Sequence, residues 1–236
     1  MFRKSILIGI LAALVVVSAG AMLVSSDGLA SMIVKDSSLS AEQAGEKTSI
    51  GARTAVIPTP VWVIGSYDKE GRPNMMTSSW VGICSSKPPA LMTCLRKATY
   101  THGNIMDKKA FTVNIASESL ARFAAFIGRV SGRDTEKFKE TGLTPVKSTL
   151  VEAPYIREFP LVAECRVIDI VEVGSHTMFI GEIMDIKADP SILGTRDYPV
   201  LEKLKPFVFS PGASRFYSIG PSLGTISELA EKGDNK

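Results

Sequence analysis

Residues 73–114 read PNMMTSSWVGICSSKPPALMTCLRKATYTHGNIMDKKAFTVN, and this stretch decides the fold class. Just before it, residues 61–72 read VWVIGSYDKEGR, a β-branched and aromatic run that ends in a polar, Gly-containing turn. Such residues fit a pleated, half-buried surface, so the opening predicts a strand, a turn over Asp68–Pro73 and a second strand. Ser85-Ser86-Lys87-Pro88-Pro89 predicts the next turn, and Ala90–Arg96 a third strand. Hydroxyls in Thr99-Tyr100-Thr101-His102 can cap a short helix running through Lys108, after which Phe111–Asn114 returns as a strand. The predicted order is β-β-β-α-β. Hydroxyls, amides, the cations Arg96 and Lys97, and the Trp80 ring gather around these strand ends, which is equipment for an anionic planar ligand.

The later chain adds one amphipathic helix and then reverts to strands. Ser117 can cap that helix, in which Leu120, Phe123, Ala124 and Ile127 recur at i, i+3, i+4 and i+7. Leu161–Val173 and Thr177–Lys187 are long β-rich runs joined at Gly174-Ser175-His176, a predicted hairpin, and Phe207–Phe209 and Arg215–Ile219 can add edge strands. A mostly β protein results, an antiparallel barrel with peripheral helices. No GxGxxG is present, so a nucleotide would not be held by a Rossmann crossover. Nothing matches HExxH, a P-loop or a GxSxG elbow, and two histidines in the whole chain argue against a metal site. The three cysteines, Cys84, Cys94 and Cys165, fall outside any CxxC spacing. Cys165 alternates with Glu164 and Arg166 on the side of Leu161, Ala163 and Val167, as a buried thiol does. Cys84 and Cys94 lie on successive strands, where an oxidised pair in an exported protein stays open.

The first residues follow a different pattern. Arg3 and Lys4 precede the apolar run Ile6–Val17, and Ala19-Gly20-Ala21 offers small residues for cleavage, the layout of a secretory signal. The uncharged stretch is also just long enough to span a bilayer, so residues 1–26 are expected to be a signal peptide or an N-terminal membrane anchor. In either case the domain is expected in the periplasm or outside the cell, with membrane contact only through that segment. Residues 27–53 read as a tether and 223–236 as a flexible C-terminal tail. Net charge is +3 over the whole chain, so no nucleic acid is expected as a partner.

Several motifs in a fixed order resemble one family. They are Pro58-Thr59-Pro60, Asp68 through Asn74 with its Gly71-Arg72 turn, Thr77-Ser78-Ser79-Trp80, Lys87-Pro88-Pro89, and Thr99 through Ile105 leading to Phe111-Thr112-Val113-Asn114. The match continues through Ser131-Gly132-Arg133-Asp134 with Lys137-Phe138, Gly174-Ser175-His176-Thr177 with Gly181-Glu182, and Phe216-Tyr217-Ser218-Ile219-Gly220. Together they resemble the flavoredoxin-like branch of the flavin reductase family, the FMN-binding split barrels. The resemblance implies an antiparallel Greek-key split barrel over residues 54–222, pairing as a homodimer with flavin at or near the interface.

It also implies a site. Thr77, Ser78, Ser79 and Trp80 match the segment at the flavin ring and its side chain. Arg96 and Lys97 are the candidates for the phosphate, with Thr99 and Asn114 as neutral donors, while Ser131, Lys137 and Phe138 are expected near the cofactor. His176 matches the family histidine beside the flavin and the second substrate, and is the catalytic candidate. Other roles stay open: Ser78 and Ser79 as solvent-facing strand residues, Lys97 as a surface charge, Trp80 as core, and His102 as a cap or a ligand contact. The implied reaction passes hydride from NAD(P)H through FMN to an acceptor such as free flavin, ferric iron or a redox partner. Export puts the nicotinamide donor in doubt. An FMN electron carrier without nicotinamide activity and a flavin-less binding module therefore stay open, and the sequence does not separate FMN from FAD.

Overall fold

A computed structural model describes residues 45–231. Among them no helix is long and apolar enough to cross a membrane; the apolar run Ile6–Val17 lies outside the described residues. Two compact units divide the chain, Gly51–Pro221 and the flanking segments Met1–Ile50 with Ser222–Lys236. Among the described residues of the flanks is a short helix, Ile226–Glu231, where a flexible tail was expected. Thr225 and Glu228 exchange backbone and side-chain hydrogen bonds at its start, a capping box.

The larger unit is built on a seven-stranded antiparallel sheet in the order β3-β2-β6-β9-β10-β5-β4. Its strands are β2 (Trp62–Tyr67), β3 (Pro73–Ser78), β4 (Val81–Ser86), β5 (Pro89–Arg96), β6 (Ala110–Ile115), β9 (Leu161–Val173) and β10 (His176–Ala188). A three-stranded sheet joins β1 (Thr59–Pro60), β11 (Phe207–Ser210) and β12 (Arg215–Ser218), and β7 (Pro145–Lys147) pairs with β8 (Pro154–Ile156). Helices α1 (Tyr100–Lys108), α2 (Ala121–Arg129) and α3 (Lys137–Thr141) lie around these sheets.

Besides the C-terminal helix and the Ser117 hydroxyl, which makes no capping hydrogen bond to the amphipathic helix, two further features depart from the sequence expectation. Residues 73 onward were expected to form one strand up to the Ser85–Pro89 turn, yet Ser79-Trp80 breaks that run into β3 and β4, which occupy opposite edges of the large sheet. The two edges meet at this crossover. Ser78 Oγ lies 3.4 Å from Thr93 Oγ1 of β5, and Cys94 N–H donates to Trp80 C=O at 2.9 Å. The sheet thus curls round to make a split barrel. Second, β11 and β12 form their own sheet with β1 instead of extending the barrel edge.

The sheet is covered on both faces, so successive residues of β2 serve two cores. Val63 packs with Met75, Ala124, Ile127, Phe138 and Phe207 beneath α2 and the small sheet. Ile64 packs with Leu91, Leu95, Ile105, Phe111 and Phe179 inside the barrel. Gly181 permits that second packing, because a Cβ there would stand 2.6 Å from the Phe111 ring. Cys165 is buried in the same cluster, as its alternation predicted. Cys84 and Cys94 are free thiols. Cys84 falls in the bulge opposite Ala90 and Leu91, roughly 10 Å along the strand from Cys94 and beyond disulfide reach.

The β2–β3 turn is closed electrostatically. The buried Asp68 carboxylate accepts from Arg72 N–H (2.8 Å), Arg72 Nε (2.7 Å) and Tyr100 OH (2.7 Å). Burial pushes its pKa up, but the Tyr100 and Arg72 hydrogen bonds outweigh this and hold it below the usual carboxylate range. The same bonds tie α1 to the turn.

Candidate functional site

The Ser79-Trp80 crossover is the centre of the site, with a cavity on one side and a rim of aromatic and charged residues on the other. Thr77, at the end of β3, donates from Oγ1 to Ala124 C=O of α2 at 2.6 Å. Gly128, one turn further along α2, lies so close to β3 that a Cβ would stand 3.2 Å from the Thr77 Cβ. Helix, strand end and small sheet enclose a cavity of about 530 Å³ with Thr77, Ser79, Arg129 and Ser214 as its polar lining and Phe209 and Phe216 among its apolar walls. The Ser79 hydroxyl and the Arg129 guanidinium have no side-chain partner among the described residues, which leaves both available to a ligand.

On the other side, the Trp80 ring lies 4.4 Å from the His176 ring at an interplanar angle of 34°. His176 opens β10 directly opposite Arg96, the last residue of β5, and its Nδ1 is 2.8 Å from Ser175 Oγ. The Arg96 side chain is exposed and has no acceptor among the described residues. Lys97 is paired with Glu172 Oε2 at 2.5 Å. Glu172 also accepts from Thr177 Oγ1 at 3.1 Å. Since Thr177 gives its proton to Glu172, its oxygen accepts from His102 Nε2 at 2.9 Å, and His102 is held as the Nε2–H tautomer. Burial, opposed by the Glu172 charge and reinforced by Lys97, keeps His102 below the ordinary imidazole range. Thr99 is the N-cap of α1, accepting from His102 N–H at 3.3 Å while donating to Arg96 C=O at 2.9 Å.

Thr77, Ser79, Trp80, Arg96, Lys97, Thr99 and His176 therefore come together around the crossover. Ser131 lies in an exposed turn tied to the same rim through Arg133, whose Nη1 donates to Ala98 C=O at 2.8 Å. Four other expected contacts belong to the interior. Ser78 alternates away from its neighbours into the barrel. Asn114 is fully buried, donating to Val63 C=O (2.9 Å) and Thr112 Oγ1 (3.0 Å) and accepting from Ile156 N–H (2.9 Å), so no donor remains for a phosphate. Lys137 is buried with Nζ donating to Met75 and Ile127 carbonyls, both at 2.9 Å, and burial brings its amine down to about 8. Phe138 packs in the core beneath α2. Arg129 and Ser214 line the cavity without having been singled out in the sequence, where Phe209 was only an edge-strand residue and Phe216 only part of an edge strand and a family motif. Arg129 is the basic last-turn residue of α2, and Ser214 lies in the turn between β11 and β12.

Comparison with known proteins agrees with the fold. The model of the flavin reductase like domain matches residues 53–212. A solved structure, the flavoredoxin of Desulfovibrio vulgaris (Miyazaki F), is 44% identical with a TM-score of 0.73, over 77% of this chain and 97% of that one. A ferric-chelate reductase (NAD(P)H) of Archaeoglobus fulgidus is 28% identical over 145 residues, 60% of this chain and 85% of that protein. An uncharacterised protein of the same organism is 36% identical over 115 residues, but the aligned stretch spans only 65% of its length. The domain match covers most of the barrel and its surrounding helices, and on that ground the chain belongs to the flavin reductase-like family.

Proposed function

We propose that this chain is an FMN-dependent oxidoreductase that takes electrons from NAD(P)H or a redox partner and passes them to an acceptor. The carrying observation is the cavity beside Ser79-Trp80. Its volume lies within the range of about 300–1,000 Å³ usual for small-molecule sites, and its walls combine aromatic rings with an unpaired guanidinium. That donor set suits a planar ring bearing a phosphate, because a guanidinium binds phosphate oxygens in a fork. Bound FMN would supply the hydride and electron chemistry.

The chain's own residues would bind and orient. Arg129 and Arg96 are placed for anionic oxygens, Ser79 and Ser214 for polar ring atoms, and Trp80 with His176 for the exposed flank where a second substrate enters. His176 is fixed by Ser175 on Nδ1, which leaves Nε2 for an amide or carbonyl of that substrate. Similarity to a flavoredoxin and to a ferric-chelate reductase (NAD(P)H) supports flavin and NAD(P)H in these roles. We also place the domain outside the cytoplasm, on the strength of Arg3-Lys4 followed by Ile6–Val17.

Purified protein mixed with FMN tests the proposal. Quenching of flavin fluorescence and a bound yellow chromophore are expected, with bleaching on addition of NADPH in the absence of oxygen. Binding without bleaching would make the protein an electron carrier fed by another donor. No binding at all would remove FMN.

A further inference from the structure

The outer face of β5 and β10 carries three sulfur side chains that the proposed flavin site does not use. On β5, Thr93 and Leu95 point into the barrel and are buried, so Met92 and Cys94 point outward and are half-buried. Cys94 Sγ lies 3.9 Å from Met92 Sδ. Met178 of β10 stands directly opposite Cys94 in the antiparallel register. It shares that outer face, since its neighbours Thr177 and Phe179 are fully buried. Directly opposed side chains leave Cβ atoms about 4.5–5.5 Å apart, which puts all three sulfurs within reach of one point. The β4 neighbour of Met92 is Gly82, which brings no side chain over the group and leaves the Met92 methyl 3.7 Å from where a Cβ would sit.

We infer that Cys94, Met92 and Met178 form a binding site for a soft monovalent metal ion of the Cu(I) or Ag(I) type. Two sulfurs bound to one metal at about 2.3 Å in a trigonal arrangement lie about 4.0 Å apart, close to the observed Cys94–Met92 separation. Thiolate and thioether donors select Cu(I) over harder ions, and unbranched methionine arms adjust to the ion. Among the described residues no three His, Cys, Asp or Glu side chains converge on a metal position, so a harder divalent ion has no better-matched cluster there. Burial raises the Cys94 thiol above its ordinary range. The thiol is therefore protonated before binding, and its proton leaves to solvent as the sulfur–metal bond forms. Trp80 and His176, next along the same face, place a fluorescent reporter beside the ion.

The purified chain, titrated without oxygen with Cu(I) against the chromogenic chelator bicinchoninate and with Ag(I) by calorimetry, should form a one-to-one complex. The double variant Met92→Leu/Met178→Leu keeps side-chain volume. It should bind at least about tenfold more weakly, since losing even an outer-shell partner of a ligand costs that much. Cys94→Ser should do the same, whereas Cys84→Ser, which removes the exposed thiol of β4, should leave binding unchanged. Neither readout depends on flavin. Binding that survives the double methionine variant, binding that vanishes in Cys84→Ser, or no binding by a chain whose circular dichroism shows it folded would each overturn the site.

Discussion

Arg129 is the residue whose replacement separates a ligand contact from a surface charge, because its guanidinium lines the cavity with no acceptor among the described residues. Arg129→Ala should weaken FMN by about 1.5–3 kcal/mol, the range for hydrogen bonds to charged groups, and leave the unfolding midpoint unchanged. Arg96→Ala, on the rim, should cost less. Equal FMN affinity in wild type and Arg129→Ala, measured by fluorescence quenching, would take Arg129 out of the site. Lys137 makes the opposite kind of prediction, one about stability. Its amine is brought down to about 8 in the folded chain, below its ordinary value of 10.5. Between these values the unfolded chain binds the proton that the folded chain has lost, so stability rises with pH, by at most about 1.4 kcal/mol for each pH unit. Below about 8 both states carry the proton and the slope vanishes. Urea unfolding of wild type and Lys137→Met should differ by this slope; parallel pH profiles would show that the two carbonyl acceptors keep Lys137 charged.

At the scale of elements, Gly181 links β10 to the barrel core. Gly181→Ala would drive a methyl group against the Phe111 ring, 2.6 Å away, and the Cys165 Cβ, 3.0 Å away. Overpacking of this kind costs about 1–3 kcal/mol, and a denaturation midpoint indistinguishable from wild type would show that Phe111 has room to yield. The elements most legible in the sequence were those fixed by local chemistry. The β9–β10 hairpin is announced by two β-branched runs around Gly174, whose φ of 53° suits glycine. The α1 cap is announced by the Thr99 hydroxyl, which the structure uses as expected. What failed to show was long-range. Nothing local in Thr77-Ser78-Ser79-Trp80 tells that the chain leaves one edge of a sheet there and joins the other. Period-2 alternation says that Thr77 and Ser78 face opposite ways, but not which face holds the ligand. Asn114 looks like a free amide in Phe111-Thr112-Val113-Asn114 until β2 and β8 bring Val63 C=O and Ile156 N–H to it.

At the scale of the whole molecule, we propose that a second copy of the chain covers the open end of the barrel. A groove of about 750 Å³ runs between Trp62, Ile83, Leu91, Ile183, Ile186 and Tyr198, with mostly apolar neighbours. Ile83 and Tyr198 are 77% and 76% exposed on its rim. Large continuous apolar surfaces on soluble proteins mark interfaces, and a two-fold contact would let the same groove serve both copies, each rim packing into the other's opening. We therefore expect a homodimer at micromolar concentration by light scattering. Ile83→Asp/Tyr198→Asp places a carboxylate on each flank of the groove without touching either core cluster, so it should yield a folded monomer. If FMN sits near the two-fold contact, that monomer should also bind flavin more weakly than the dimer. A wild-type monomer that holds FMN at full affinity would show that this face is not the interface and that the cavity beside Ser79-Trp80 is complete within one chain.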